Sequence, residues 1–367
     1  MHADDLSCGV HQPADGILCC GFPACGTGSL WCRCGYAVWY TQGKSNVDRR
    51  KGESMKRAVI TGASGMLGQA LARLLVQNGI EVITVLRPGS EHNEEALQDK
   101  RVIPVECDLG DLTSLPEKIS QTCDAFFHFG WGGTFGNTRN NYYGQLQNVS
   151  YTLDAVEAAK ELGCSVFLGA GSQAEFGRVP EGVKLSAGLT ANPETGYGIA
   201  KLCAGQMSRA ACRDYGIRHI WTRILSVYGP GDKDRTMVMS GICSMLRGEI
   251  PKYTKGEQIW DYLYCDDAAK AFYLAAEKGR DGAVYCVGSG QERLLKDYIK
   301  DIGDVVCPGQ EIIFGEAPYY DKQVMYLCAD IGDLKRDTGF EPETVFREGI
   351  EKTVAWRKTC SRPLFDN

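Results

Sequence analysis

Tyr197 and Lys201 stand four residues apart in ETGYGIAKLCAGQMSRAACRDYG, a stretch with helical apolar spacing, so their side chains share one helix face. A free tyrosine phenol titrates near ~10 and is a poor base at neutral pH, but a neighbouring ammonium stabilises the phenolate and draws that value down. The pair can therefore give and take a proton. Ser172, where the buried run VFLGAGSQAEFG enters a loop, offers a hydroxyl able to hold the oxygen that gains or loses that proton. A YxxxK pair alone is common on surface helices, and its weight here comes from the elements around it.

Those elements begin at Lys56. KRAVIT reads as a short apolar strand, TGASGMLG as a tight turn, and MLGQALARLLVQNG as a helix stopped by glycine. In that context Gly62 permits the turn, Gly65 lets backbone N–H groups approach a pyrophosphate, and Gly68 lets helix and strand pack closely, with Ser64, Met66 and Leu67 completing the loop. EVITVLRPG is a second strand ending near Arg87, RVIPVECDLGD a third ending at Asp108, and DAFFHFGW a fourth. Alternating strands and helices predict an α/β fold, a Rossmann-type doubly wound parallel sheet. The end of the second strand is where such folds read the adenosine ribose. Arg87 with no acid beside it favours NADP over NAD, while Asp108 and Leu109 are placed to meet the adenine, with Asp108 equally suited to a turn or cap role in DLGD. With such a cofactor bound, Lys201 can also hydrogen-bond the nicotinamide ribose. His128 sits inside an apolar strand without a partner at ligand spacing and reads as a core histidine.

The chain has 367 residues, 44% hydrophobic, with a net charge of -6, enough for one large domain or two lobes. The acidic balance argues against nucleic acid as a partner, and the absence of any apolar run of ~18 residues argues against a membrane span. Of 17 cysteines, those after Met55 are scattered singly and read as reduced, buried thiols, which points to a cytoplasmic protein. Residues 1–54 form an irregular, cysteine-rich leader whose spacings give no paired CxxC zinc site and no export signal. Lys51-Gly52-Glu53 can be encoded by AAA GGA GAG, a purine-rich ribosome-binding sequence just before the Met55 codon. The leader is therefore expected to be upstream sequence translated in frame, and N-terminal sequencing of the native protein tests this.

Glycine loop, later serine and YxxxK, in that order, resemble the short-chain dehydrogenase/reductase superfamily, and more closely its extended branch, the nucleotide-sugar epimerases, dehydratases and reductases. TGASGMLG, NVSYTLDAVEAAKELG, GSQAEFG, YGIAK, RILSVYGPGD, IWDYLYCDDAAKAF, YCVGSGQ and LKRDTGFEPETVFREGIEKTVAW carry the resemblance over residues 56 to about 356. It implies catalytic roles for Ser172, Tyr197 and Lys201, with Asn148 fixing the active-site helix and a water. Capping is a compatible role for Asn148. It also implies a nucleotide-sugar substrate and a homodimer joined through a helix bundle. The core is expected over 55–225, with 226–367 mainly a smaller C-terminal substrate lobe from which 258–278 return to the core.

Departures from the branch narrow the reaction. Dehydratases follow the serine or threonine with Asp-Glu, and decarboxylases place a glutamate at the second of those positions, whereas this chain has Gln173 and Ala174; Glu175 should face elsewhere. Trp260 and Ser226 stand where arginine and asparagine are usual. Trp131, Phe135, Tyr142 or Tyr143 could stack on a base or sugar ring, and Arg139, Arg223 and Lys233 are candidates to pair with phosphate. The expectation is a 4-ketoreductase or an epimerase. The alternative is a cofactor-sensing or scaffold protein of the same fold, which the retained Ser172, Tyr197 and Lys201 weigh against.

Overall fold

A computed structural model describes residues 54–90, 99–320 and 323–360. The leader through residue 53, with the expectation placed on it, lies outside the described residues. In chain order the elements are β1 (Arg57–Thr61), α1 (Met66–Gln77), β2 (Glu81–Leu86), β3 (Val102–Glu106), the short α2 (Leu115–Lys118), β4 (Ala125–His128), α3 (Tyr142–Glu161), β5 (Val166–Ser172), α4 (Gly196–Tyr215) and β6 (Arg218–Ile224). Then come β7 (Ser226–Tyr228), α5 (Met237–Leu246), β8 (Ile259–Trp260), β9 (Tyr262–Tyr264), α6 (Cys265–Lys278), β10 (Ala283–Val287), β11 (Arg293–Leu294), α7 (Leu295–Val306), α8 (Gly332–Thr338) and α9 (Phe346–Thr359).

The first strands are near-continuous apolar runs because helices cover both faces of the sheet, leaving no solvent face to demand alternation. Seven strands pair in the order β10-β6-β5-β4-β1-β2-β3, every pair parallel. This is the Rossmann-type doubly wound sheet that the sequence predicts. Strand order reverses between β1 and β4, so a crevice opens at their carboxyl ends. One core cluster packs α1, α5 and α6 on one face, and a second packs α3 on the other, around Phe126 and Phe167. Burying each such aromatic or aliphatic side chain stabilises the fold by ~1.5–3 kcal/mol.

Beyond β6 the chain departs from its sequence reading. β10 lies after residue 278 in the segment assigned to the C-terminal lobe, yet it pairs with β6 in register from Ala283↔Ile220 to Val287↔Ile224. Its five residues supply the backbone partners that β6 otherwise lacks on that edge. β7 pairs with β9, and β8 with β11, in two small sheets beside the main one. All eleven cysteines from Cys107 to Cys360 are free thiols, eight of them buried. Among the described residues no helix is long and apolar enough to cross a membrane.

Candidate functional site

The glycine turn lies at the crevice. Gly62 has φ +69°, and a Cβ there would come within 2.8 Å of the Gly130 nitrogen, just beyond β4. At Gly68 a Cβ would fall 2.4 Å from the Gly62 carbonyl oxygen, so helix and turn touch backbone to backbone. Gly65 caps α1 without a side-chain bond, and the first turn of this 12-residue helix carries no acid. Its free N–H groups and positive dipole end therefore suit an anion. The Ser64 carbonyl accepts a bond from Gln69 Nε2 at 2.8 Å, while Met66 and Leu67 pack partly buried against the core.

The residues placed around the adenosine follow the strand ends. Arg87 is exposed immediately after β2, its guanidinium near the Ser90 hydroxyl at 3.4 Å. Asp108 caps the turn at Leu109–Ser114, accepting from the Gly110 nitrogen at 2.9 Å, and Leu109 closes over Gly130. Cradle, basic strand end and apolar closure fit a dinucleotide of the NAD(P) kind.

Ser172 ends β5, and Tyr197 and Lys201 lie on the first turns of α4, whose N-terminus is capped by Thr195. The slot that docks α4 is built by one residue the sequence reading passed over. Trp221 on β6 fills a space where a Cβ on Gly169, Gly171 or Gly205 would approach its ring to 2.2, 2.3 and 2.7 Å. Small residues at alternate positions of β5, facing a glycine in α4, were the available signal. Trp221 Nε1 donates to Glu175 Oε1 at 2.9 Å, the same oxygen that accepts the Ser172 N–H at 2.9 Å. Glu175 Oε2 takes Arg223 Nε at 2.8 Å, in a pair almost wholly withdrawn from solvent. Arg223 is thus committed to Glu175 inside the protein, which removes it as a phosphate partner.

The Ser172 hydroxyl lies beside the Tyr197 phenol. Burial pushes the Tyr197 phenol up, while the neighbouring Ser172 hydroxyl and the charge of Arg139 pull it back. Lys201 is fully enclosed: Nζ donates to the Ala170 carbonyl at 2.6 Å and lies 3.6 Å from the centre of the Trp131 ring. Burial draws it down to about 7, against a smaller upward pull from Glu175. Its Nζ is 5.8 Å from the centre of the Tyr197 ring, whereas the Arg139 guanidinium sits over that ring at 4.7 Å. Tyr197 and Lys201 share a helix face, but the nearer positive charge at the tyrosine ring comes from a loop.

That loop, from Phe129 to Asn141, is pinned from α3. Asn148 accepts from the Gly132 nitrogen at 2.9 Å and donates to the Gly132 and Gly144 carbonyls at 3.0 Å each. It is a mid-helix tether, and the cap of α3 is Asn141. Gln145, unremarked in the sequence, holds Trp131 through its indole N–H at 2.9 Å and the loop through the Gly133 and Thr138 carbonyls. His128 sits beneath, Nδ1 facing Thr61 Oγ1 at 2.9 Å and Nε2 facing Thr152 Oγ1 at 3.4 Å. Burial, with Lys201 nearby, holds it down to about 3.

Of the other residues singled out in the sequence, Tyr142 and Tyr143 are 68% and 88% exposed at the start of α3, and the Tyr142 ring lies against Gly196, the residue before Tyr197. Phe135 is exposed beneath the guanidinium of Arg235, at 4.2 Å, and Lys233 is exposed on the same turn as Arg235. Trp260 Nε1 donates to Ser226 Oγ at 2.9 Å, so the two departures from the branch pattern contact each other. Asp261, next to Trp260, is fully buried, accepting from the Ser289, Gly290 and Ala329 backbone nitrogens.

Comparison with known proteins agrees with this geometry. The chain is 28% identical over 82% of its length to a trifunctional UDP-glucose 4,6-dehydratase/UDP-4-keto-6-deoxy-D-glucose 3,5-epimerase/UDP-4-keto-L-rhamnose-reductase of Arabidopsis thaliana, of which it spans 47%. It is 26% identical to a dTDP-glucose 4,6-dehydratase of Shigella flexneri, covering 82% of this chain and 92% of the relative. The structure of a UDP-glucose 4-epimerase from Thermotoga maritima, solved with UDP-glucose, superposes with a TM-score of 0.72 at 25% identity, over 83% of this chain and 99% of that one. The chain spans about half the length of the plant relative, and nearly all of the bacterial ones. Residues 58–288 match the model of one family, and the chain belongs to it: the NAD dependent epimerase/dehydratase family.

Proposed function

We propose that this protein modifies a nucleotide sugar by oxidation or reduction at a ring carbon, as a 4-ketoreductase or an epimerase. The observation that carries the reading is the Ser172–Tyr197 hydroxyl pair with Lys201 behind it, set at the carboxyl end of β5 beside the glycine cradle. A bound NAD(P) supplies the acceptor or donor of hydride. Tyr197 moves the proton at the substrate oxygen, Ser172 holds that oxygen, and Lys201 positions the cofactor ribose and the tyrosine. Asn148 keeps the overlying loop in place through Gly132.

Dehydration is disfavoured, although several relatives are named as dehydratases. Gln173 and Ala174 carry no acid, and the one carboxylate of that turn, Glu175, is occupied by Ser172 N–H, Trp221 and Arg223. Arg87, exposed at the end of β2, supports NADP over NAD. Tyr143 and Leu146 on α3, with Ile199 and Met207 on α4, leave an exposed apolar face that supports a homodimer through these helices.

The test is incubation of the purified protein with NADPH or NADH and a panel of 4-keto nucleotide sugars and their epimers. Net consumption of NADPH identifies a reductase, and conversion without net cofactor change an epimerase. Tyr197→Phe should remove turnover, by ~100-fold or more, and leave NADPH affinity within about twofold. Undiminished turnover in that variant would reject the mechanism.

A further inference from the structure

We propose that Arg139 is the fixed positive charge that stabilises the phenolate form of Tyr197, a positioning residue acting through the tyrosine. The inference rests on the acid–base role proposed for Tyr197. Arg139 lies on a single turn, Gly136–Asn140, docked directly onto the start of α4: Asn140 Oδ1 accepts from the Gly196 nitrogen at 3.0 Å, and the Thr138 carbonyl accepts from Gln145 Nε2 at 3.1 Å. These bonds bring the guanidinium to 4.7 Å over the face of Tyr197. Its Nε is buried without a hydrogen-bond partner among the described residues, and no carboxylate among them forms an ion pair with the side chain. A guanidinium on an aromatic face is attracted by the ring quadrupole, and more strongly as the ring gains negative charge.

Each other group facing Tyr197 is engaged elsewhere or carries no net charge. Lys201 turns its Nζ to the Ala170 carbonyl and to Trp131, and burial draws it down to about 7, so its ammonium is readily lost. Glu175 opposes the phenolate, but its charge is met by Arg223 at 2.8 Å. Ser172 contributes a neutral hydroxyl. His128, close to Lys201, is kept uncharged by burial. A guanidinium stays charged at any working pH, so Arg139 supplies a field that does not vary as Lys201 titrates.

The experiment needs no substrate. The ultraviolet tyrosinate band is followed against pH in the full chain and in Arg139→Gln, each corrected by subtracting its Tyr197→Phe counterpart, so that only Tyr197 is read among 17 tyrosines. Its tyrosinate should form at clearly higher pH in Arg139→Gln, and Arg139→Lys should lie nearer the parent, with NADPH affinity unchanged. Arg139→Met, with a similar stem and no charge, serves where the glutamine variant does not fold. Coincident curves in a folded, uncharged variant overturn the inference. If the curves separate but Tyr197→Phe keeps turnover, the charge effect stands and the proposed acid–base role falls. If Tyr197→Phe is inactive and the curves coincide, that role stands and the Arg139 inference falls.

Discussion

Glu175→Gln should cost this protein a large share of its stability. Glu175 is fully buried and accepts three bonds: Oε1 from the Ser172 N–H and Trp221 Nε1, both at 2.9 Å, and Oε2 from Arg223 Nε at 2.8 Å. A carboxamide keeps the shape but offers one acceptor oxygen. If that oxygen faces Ser172 and Trp221, the NH2 group meets Arg223 donor to donor, and a buried guanidinium loses its counter-charge. If it faces Arg223, two other donors are orphaned. Removing one partner of a buried ion pair costs ~3–5 kcal/mol, against a total stability of ~5–15 kcal/mol. The urea midpoint, followed by far-ultraviolet circular dichroism, should fall by that amount divided by the m-value. Arg223→Met added to Glu175→Gln removes the stranded charge and should recover at least half of the loss, so the two substitutions are strongly non-additive. Turnover should also fall in the single variant, because the Ser172 backbone loses its anchor. A single-variant loss below ~1 kcal/mol, or strict additivity in the double variant, would refute the reasoning.

Lys201 gives a pH dependence of known sign. Its ammonium titrates at about 7 in the folded chain against the ordinary 10.5, so between those values the unfolded chain holds a proton that the folded chain does not. Stability therefore rises with pH through that window, and the full penalty is present below it. Relative to Lys201→Met, the parent should gain about 3 kcal/mol between pH 7 and about pH 9.5, since each tenfold change in proton affinity is worth ~1.36 kcal/mol. A difference between the two proteins that does not vary with pH would contradict the burial argument. For the apolar face on α3 and α4, Leu146→Glu with Met207→Glu should halve the mass in equilibrium sedimentation. A parent chain already monomeric at micromolar concentration would dispose of the proposed dimer.

Local features were readable from the residues, and long-range partners were not. KRAVITGASGMLG announces strand, turn and helix because each step is set within a few residues by apolar spacing and glycine. Tyr197 and Lys201 share a face for the same reason. Arg223 looked free for phosphate because its partner, Glu175, lies 48 residues earlier in the chain. Asn148 allowed a capping role in sequence, but its bonds reach across to Gly132 in a different segment. The Trp221 slot depends on glycines from β5 and α4 meeting a side chain from β6, a three-way contact that periodicity cannot report. Arg139 over Tyr197 likewise follows from a loop docking on a helix end.

The return of β10 to the main sheet bears on how the chain is made. A ribosome releases β1 to β6 some 60 residues before Ala283–Val287 emerge, and through that interval β6 presents an unpaired, apolar parallel edge. A fragment ending near residue 225 keeps that edge permanently open. Expressing the cofactor-binding half alone should therefore yield more aggregate than the whole chain, in which β10 covers the β6 edge.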